Sequence, residues 1–349
     1  MKNFLRSLIS SINIEQLKIV KESFFGIFIR LLSALIAFFF NLIITRSMEA
    51  EEAGYFFLSL SIAIFLSALA RLGFENTVLK FTAASINNRG LTLYILKYTL
   101  SWSLVISILI ALAIFFYSDL ISQSFFNKSG LIEPLKYISP SILGFSMVFI
   151  MAMSLQARQK FLISVPCQNI AHFVLCGAFL IFFNVDSSNE AAIYMSLSLG
   201  ISALFFYWIS IKDLKADVDK NLDKKSFWSS ANQNLITNIT NHLLQWGGPI
   251  IIGIFLASNQ VAFFAVAQRT ALLTSLIIMG INLIVAPKVA MMYEQKRIED
   301  IRILVIFAVR LSILAGIPIV ILMIIFSEFL MGLFGSDYTL SANILRILI

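Results

Sequence analysis

Four arginine side chains interrupt long apolar stretches of the 349-residue sequence. They are Arg30, Arg71, Arg269 and Arg310. An arginine at the centre of a membrane-spanning helix costs about 2.5–3.5 kcal/mol on insertion scales, so each of the four needs a physical reason. A planar guanidinium matches the oxygens of a phosphate group through two parallel hydrogen bonds. We therefore interpret these arginines as candidate ligands for a phosphate or diphosphate group.

The structural alternative is that a long side chain reaches the membrane surface from near a helix end. Arg30 and Arg310 lie close enough to a predicted helix end for this, whereas Arg269 lies near the middle of its apolar stretch. Small and polar residues share one helical face with Arg30, as expected for a helix contact inside a membrane bundle. They are Ser23, Gly26, Ser33, Ala37 and Asn41. We expect Arg30 and Arg269 to line a cavity, and both interpretations stay open for Arg71 and Arg310.

One acidic residue, Glu75, lies well inside an apolar stretch, four residues after Arg71. Side chains four residues apart are neighbours on a helix surface, so an intrahelical ion pair is expected. A carboxylate at this depth is also a candidate site for proton or cation coupling. The sequence leaves both roles open for Glu75.

A second polar feature follows one helical face at spacings of four, four, three and four residues. It consists of Ser230, Asn234, Asn238, Asn241 and Gln245. Buried amides need hydrogen-bond partners, which neighbouring helices or the hydroxyl groups of a sugar can supply. Gly247-Gly248-Pro249 follows directly and predicts a break or bend. No metal site is expected at His172 or His242.

The composition shows which elements must hold these residues. Hydrophobic residues make up 59% of the chain and charged residues 13%, whereas soluble domains contain about 25% charged residues. This excludes a water-soluble fold. Nine apolar stretches are long enough to cross a bilayer as helices, and a tenth begins near Thr339. The nine cover residues 24–44, 55–80, 98–117, 135–155, 163–183, 191–210, 229–256, 261–287 and 304–326.

Basic residues are distributed unequally between alternate loops. The N-terminal tail and every second loop hold eighteen Lys and Arg residues, and the opposite loops hold Arg46, Lys128 and Lys136. The positive-inside rule therefore places the N-terminus in the cytoplasm. The first twelve residues have apolar and basic positions at helical spacing and predict an interfacial helix. No basic patch typical of nucleic-acid binding is present.

The two halves of the chain resemble each other weakly at a shift of about 208 residues, where Ala53-Gly54-Tyr55-Phe56 aligns with Val261-Ala262-Phe263-Phe264. The repeat predicts two parallel six-helix lobes related by an axis along the membrane normal. Their expected limits are residues 1–210 and 228–349, with a cytoplasmic linker at 211–227. On this alignment the second lobe lacks its last three helices, so we expect the chain to be a fragment.

Several short motifs carry a resemblance to a known family. They are Glu52-Ala53-Gly54-Tyr55-Phe56, Arg71-Leu72-Gly73-Phe74, Lys80-Phe81-Thr82-Ala83, Ala267-Gln268-Arg269, Ala286-Pro287-Lys288 and Leu333-Phe334-Gly335-Ser336-Asp337-Tyr338. With them the chain resembles polysaccharide flippases of the multidrug, oligosaccharidyl-lipid and polysaccharide exporter superfamily, most of all bacterial O-antigen flippases. The resemblance implies two parallel six-helix lobes around a central cavity, as in multidrug exporters. It also implies that this cavity is cationic, with arginines from the first, second and eighth spans, as at Arg30, Arg71 and Arg269.

The resemblance also implies transport of an undecaprenyl-diphosphate-linked oligosaccharide across the bacterial cytoplasmic membrane by alternating access. The arginines would hold the diphosphate and Asn234, Asn238, Asn241 and Gln245 would contact sugars. We expect a monomer without a cofactor, with lipid and other polysaccharide assembly proteins as candidate partners. The first span carries no acid, unlike many drug exporters, which disfavours a cation exporter. A glycan polymerase or ligase is disfavoured because the longest external loop, 118–134, is short.

The loop charges generate a topology prediction. Reporter domains fused after Lys225 and Lys296 should be active in the cytoplasm, and a reporter fused after Asn127 should be active outside, because basic loops stay on the cytoplasmic side. Paired alkaline phosphatase and green fluorescent protein fusions measure this directly. The opposite pattern at these three sites would contradict the predicted orientation.

Overall fold

The structure, a computed structural model, describes residues 14–214, 222–294 and 297–349, in which every regular element is a helix. The first seven helices are α1 (Ile14–Ser47), α2 (Ala50–Ala70), α3 (Phe74–Ala84), α4 (Arg89–Leu120), α5 (Ile132–Ile138), α6 (Ser141–Ala157) and α7 (Phe161–Asn169). The others are α8 (Ala171–Phe182), α9 (Ser188–Lys212), α10 (Lys224–Phe255), α11 (Ser258–Glu294), α12 (Ile298–Ile325), α13 (Ser327–Gly332) and α14 (Ala342–Leu348). The predicted all-α class is confirmed.

Each of the nine predicted spans corresponds to one helix or to two consecutive helices. By length and apolar composition, four helices in the described ranges could cross a membrane, or six if each of two bent pairs is one span. The interfacial helix expected in the first twelve residues lies outside the described residues, as do residues 215–221 of the predicted linker. The last four linker residues are helical, because α10 begins at Lys224 with Asp223 as its N-cap.

The prediction of one continuous span at 55–80 is wrong, because the helix is broken between α2 and α3. Leu72 and Gly73 both have positive φ angles, 51° and 74°. A Cβ atom on Gly73 would lie 2.1 Å from the carbonyl oxygen of Ala231 in α10. Glycine is therefore required at position 73 for two reasons, its backbone conformation and the close approach of α10.

Two further predicted spans are bent, and one predicted break is absent. The bends are 46° between α5 and α6 and 44° between α7 and α8. In contrast, α10 continues without a break through Gly247-Gly248-Pro249. Pro249 cannot donate to the carbonyl of Gln245, but the Nε2 atom of Gln268 in α11 lies 3.4 Å from that oxygen and donates to it. This contact between helices replaces the hydrogen bond that proline removes.

Helix α2 lies at the centre of the bundle and packs against α6, α9, α10 and α11. Most of its residues are buried, and its sequence is apolar on every side, as expected for a helix surrounded by other helices. Small residues allow the closest contacts: a Cβ atom on Gly54 would lie 1.9 Å from the carbonyl oxygen of Ser258, at the start of α11. The close approach of α2 to the start of α11 therefore requires glycine at position 54.

This contact predicts the effect of adding a single methyl group. Gly54→Ala should destabilise the protein by about 1–3 kcal/mol, because the obstructing atoms belong to the backbone and cannot rotate away. Gly200→Ala is the matched control, since Gly200 in α9 has no atom within 4 Å of an added Cβ. Thermal unfolding in detergent, followed by size-exclusion chromatography, measures both variants. Equal stability of the two would contradict the close approach at Gly54.

Candidate functional site

Arg269 of α11 is the centre of the candidate site, and residues from three other helices surround its guanidinium. Asn41 of α1 accepts a hydrogen bond from Nη1 through Oδ1. The guanidinium carbon lies 4.6 Å from the ring centre of Phe57 in α2 and 5.2 Å from that of Trp246 in α10. Contacts with aromatic rings stabilise a cation without neutralising its charge.

Part of this guanidinium has no partner. Its Nη2 atom is buried and makes no hydrogen bond to any described residue. The amide of Asn41 is itself fixed, because Nδ2 donates to the carbonyl of Ala37 at 2.6 Å and leaves Oδ1 directed at Arg269. Within the described ranges, Arg269 forms no ion pair with a carboxylate. The site thus holds a positive charge without a carboxylate partner among the described residues, and one guanidinium nitrogen without a hydrogen-bond partner.

Arg71 has different surroundings, and its side chain is fully buried. Nε donates to Glu75, Nη1 donates to the hydroxyl of Ser67 at 2.8 Å, and Nη2 lies 2.9 Å from Nε2 of His242. The ring of Phe149 lies 4.3 Å from the guanidinium carbon. The expected ion pair with Glu75 is present, although it crosses the break between α2 and α3. Each guanidinium nitrogen of Arg71 already has a partner.

His242 extends this cluster to α10, because its Nε2 atom also lies 3.2 Å from Glu75 Oε1. Further along the same contact, Asn76 donates to Asn238 and Asn234 donates to Thr77, each at 3.1 Å. We call this set of contacts between α10 and the α2–α3 region the polar seam. It attaches one face of α10 firmly to the α2–α3 break.

The four predicted sugar-contacting amides are therefore in two environments. Asn234 and Asn238 bond to α3, which is the interhelical arrangement that the sequence left open, whereas Asn241 and Gln245 have exposed side chains. Arg310 is exposed on α12 and makes no hydrogen bond or ion pair with a described residue. The side chain of Arg30 lies outside the described part of the chain. Arg71, Arg269 and Arg310 thus have three different sets of neighbours.

The aromatic partners of Arg269 and the role of His242 were not predicted from the sequence. Asn41 was visible only as a member of the small and polar face of α1 that also carries Arg30. Trp246 directly follows Gln245, so its position beside a polar face was a usable signal. Phe57 gave none, because it is one of 33 phenylalanines.

Two cationic side chains bind backbone carbonyl groups at one end of the bundle. We call it the outer end, because the distribution of basic loops predicts that it faces away from the cytoplasm. Lys128 Nζ donates to the carbonyl of Gly253 near the C-terminus of α10 at 2.7 Å, and Arg46 Nε donates to that of Leu333, just after α13, at 2.8 Å. Burial lowers the pKa of the Lys128 ammonium. Carbonyls at helix C-termini favour cations, and these contacts connect the first part of the chain to the second.

Comparison with known proteins gives a family and a relative. The sequence profile of the family described as polysaccharide biosynthesis protein matches residues 43–343. A probable low-salt glycan biosynthesis flippase of Haloferax volcanii, Agl15, is 27% identical over 175 residues. That alignment covers 49% of this chain and 36% of the relative, so it spans about a third of the relative's length.

Solved structures with a similar fold include proteins described as transporters. An inward-facing multidrug resistance MATE family transporter of the MOP superfamily has a TM-score of 0.69 at 17% identity and covers 90% of this chain and 76% of its own. An outward-facing structure of a multidrug resistance MATE family transporter has a TM-score of 0.66 at 16% identity. That match covers 94% of this chain and 77% of the other chain. A third match is a MOP superfamily transporter from Pyrococcus furiosus, whose binding pocket is described as having reverse polarity. Its TM-score is 0.63 at 16% identity, and the match covers 94% of this chain and 76% of the other chain. The predicted exporter-like fold is confirmed.

The buried cluster around Arg71 generates a stability prediction. Glu75→Gln should destabilise the protein by about 3–5 kcal/mol, because it leaves the Arg71 guanidinium buried without its counter-charge. The double variant Arg71→Met/Glu75→Met removes both charges and should lose less stability than Glu75→Gln. Denaturant unfolding in detergent measures the three proteins.

Glu133→Gln is the matched control, since Glu133 forms an exposed ion pair with Lys136 at 3.3 Å; exposed pairs contribute little. If Glu75→Gln were as stable as this control, Glu75 would have no structural role and its side chain would be available for ion coupling alone.

Proposed function

We propose that this chain, which belongs to the polysaccharide biosynthesis protein family, moves a lipid-linked oligosaccharide across a membrane. Family membership and the exporter fold support transport rather than catalysis. The finer assignment is an undecaprenyl-diphosphate-linked repeat unit moved across the bacterial cytoplasmic membrane by alternating access, with the N-terminus in the cytoplasm. The observation that carries this proposal is the uncompensated guanidinium of Arg269.

An anion with several oxygens is the ligand that this guanidinium favours. The Nη2 atom has a hydrogen to donate, and the aromatic rings of Phe57 and Trp246 hold the planar group in one orientation. A fixed, planar donor set recognises phosphate oxygens well. In the proposed mechanism Arg269 holds the diphosphate near the middle of the membrane, while the prenyl chain remains in lipid.

The other residues predicted to bind the substrate differ in how strongly the structure supports that role. Asn241 and Gln245 have exposed amides on the helix that also carries Trp246, which supports contact with sugars. Arg30 and Arg310 remain proposed partners of the diphosphate. Arg71 would have to exchange its present partners before it could bind a substrate, so the proposal does not depend on it.

Alternating access requires the outer end to open and close. Lys128 and Arg46 connect the first part of the chain to α10 and to the residues after α13 at that end. Release of the oligosaccharide outside would break these hydrogen bonds. The proposed division into lobes at residues 211–227 fits this motion, since each cation lies before that segment and its carbonyl partner after it.

A cation exporter is the second candidate, because MATE-type multidrug transporters share the fold. Binding a cationic drug requires an acceptor of negative charge within the membrane. Glu75 is the acid that the sequence places well inside a span, and it is paired with Arg71 and His242. This pairing favours an anionic substrate over a cationic one.

The proposal predicts that substitutions of Arg269 weaken diphosphate binding to different extents. Arg269→Ala should weaken binding of farnesyl diphosphate by about tenfold to a hundredfold, the expected loss of a charge-assisted hydrogen bond. Arg269→Lys should recover only part of it, because lysine lacks the planar donor pair. Binding to the purified protein and glycan export in cells are measured together with the amount of protein in the membrane.

Arg297→Ala is the control, since this exposed arginine pairs with Asp300 at 2.6 Å and should not affect binding. Unchanged binding and export in Arg269→Ala, at a normal protein level, would disprove the diphosphate role. Loss of the protein in both Arg269 variants would instead indicate a structural role.

A further inference from the structure

One ring nitrogen of His242 in α10 lies between a hydrogen-bond donor and an acceptor. Its Nε2 atom is 2.9 Å from Nη2 of Arg71 and 3.2 Å from Oε1 of Glu75. A bare imidazole nitrogen accepts a hydrogen bond from an arginine, whereas the same nitrogen with a hydrogen donates to a carboxylate. Adding a proton at Nε2 therefore exchanges the Arg71 contact for the Glu75 contact without moving the ring.

The protonation state of His242 sets the net charge of this cluster. Arg71 and Glu75 form an ion pair whose charges cancel. A carboxylate bonded to a guanidinium stays ionised at neutral pH, whereas an imidazole gains and loses a proton near that pH. The cluster is therefore neutral while His242 is neutral, and it carries one positive charge after His242 is protonated.

Few other charged residues lie on the helices packed around His242. After Lys225, α10 has no charged residue, and α6, which contributes the nearby ring of Phe149, has none at all. Apart from Arg71 and Glu75, the charged residues of α2, of α3 and of residues 258–287 in α11 are Glu51, Glu52, Lys80 and Arg269. Both of these acids lie at the far end of α2. On these helices, Glu75 is therefore the acid that faces the imidazole.

The edge of the cluster is open to a proton. Arg71 is fully buried, but the side chain of Glu75 is 13% exposed, and Asn241, which precedes His242 on α10, is exposed. A proton needs little space. His242 is therefore accessible to a proton from this edge while Arg71 stays enclosed.

One face of α10 connects His242 with the Arg269 site. Trp246 follows His242 by four residues, so the two rings lie on the same face, about 6 Å apart along the helix. The ring centre of Trp246 lies 5.2 Å from the guanidinium carbon of Arg269. A charge on His242 is thus on the order of 10 Å from a ligand at Arg269, close enough inside a protein to change an equilibrium constant about tenfold.

We propose that His242 takes up a proton when the diphosphate binds at Arg269. This inference rests on the proposed function and adds to it a proton as a second ligand. The proton comes from water and bonds to Nε2, and the positive charge that it adds attracts the anion. By linkage, the bound anion increases the affinity of His242 for the proton by the same factor. Proton uptake offsets part of the negative charge that the substrate carries into the membrane, where charge is costly.

Calorimetry measures this uptake. The tag-free, purified full chain is titrated with farnesyl diphosphate at one pH in buffers of different ionisation enthalpy. The variant is His242→Gln, whose amide keeps an acceptor for Arg71 and a donor for Glu75 but takes up no proton. Near the midpoint of the His242 titration, the unmodified chain should take up about half a proton more per bound probe than the variant, the largest difference that tenfold coupling allows.

The pH dependence of binding has a fixed sign. Because the proton and the anion favour each other, the affinity of the unmodified chain for farnesyl diphosphate should rise about tenfold more than that of His242→Gln as the pH falls from about 8.5 to about 5.5. Protonation of the probe itself is common to both proteins and cancels in the comparison. Arg269→Ala should weaken binding at every pH.

His172→Gln is the matched control, because His172 is the other of the two histidines in the chain. Its ring packs against Phe145 and Phe173, at centroid distances of 5.5 Å and 4.3 Å, and this variant should take up as many protons as the unmodified chain. Equal uptake by the unmodified chain and His242→Gln would overturn the inference and leave the proposed function intact. Failure of the unmodified chain to bind farnesyl diphosphate at any pH would refute the proposed function, and the inference with it.

Nuclear magnetic resonance tests the inference without altering His242. Histidine labelled at Cε1 gives one signal in His172→Gln, and the position of that signal reports the protonation of His242. In the unmodified chain, the signal that is absent from His242→Gln serves the same purpose. Saturating farnesyl diphosphate should move the midpoint of this titration to a pH about one unit higher, the equivalent of tenfold coupling. A midpoint that does not move would overturn the inference.

Discussion

The buried contact of Arg71 with Glu75 and His242 determines how α10 is oriented, and much of the bundle depends on that orientation. His242 can reach the ion pair only if the His242 side of α10 faces the break between α2 and α3. Asn238 and Asn234 then face α3 and bond to Asn76 and Thr77. A buried ion pair is weak evidence for stability by itself, but here its geometry fixes the rotation of a helix. The position of Trp246 beside Arg269 follows from it.

Arg71 and Arg269 show why residue type alone does not identify a binding site. Both side chains contact aromatic rings, and both were equally conspicuous as charges within apolar stretches. The structure gives Arg71 a carboxylate, a hydroxyl and an imidazole, and gives Arg269 one amide. The acid four residues after Arg71 was a local signal of this difference. Nothing near Arg269 in the sequence indicated that Asn41, 228 residues away, would be its partner.

The sequence predicted the helices well because apolar stretches of bilayer length are a strong signal. It did not predict the break at Leu72 and Gly73, where a continuous apolar stretch contains two residues of positive φ. It also identified amides that share one side of α10 without showing which side faces the bundle. Periodicity gives the relative angle between side chains, but only packing fixes the absolute rotation. For this reason the sequence could not show that Asn234 and Asn238 bond to α3 whereas Asn241 and Gln245 are exposed.

The contacts at the outer end have an asymmetry that affects how they can be altered. Lys128 and Arg46 bind main-chain oxygens of Gly253, Gly332 and Leu333. Every amino acid presents the same carbonyl, so replacing a side chain on the accepting helix leaves the acceptor in place. A carboxylate partner could be removed by one substitution on either side. These two connections can therefore be removed by replacing either cation, whereas no substitution of an accepting residue deletes the carbonyl oxygen itself.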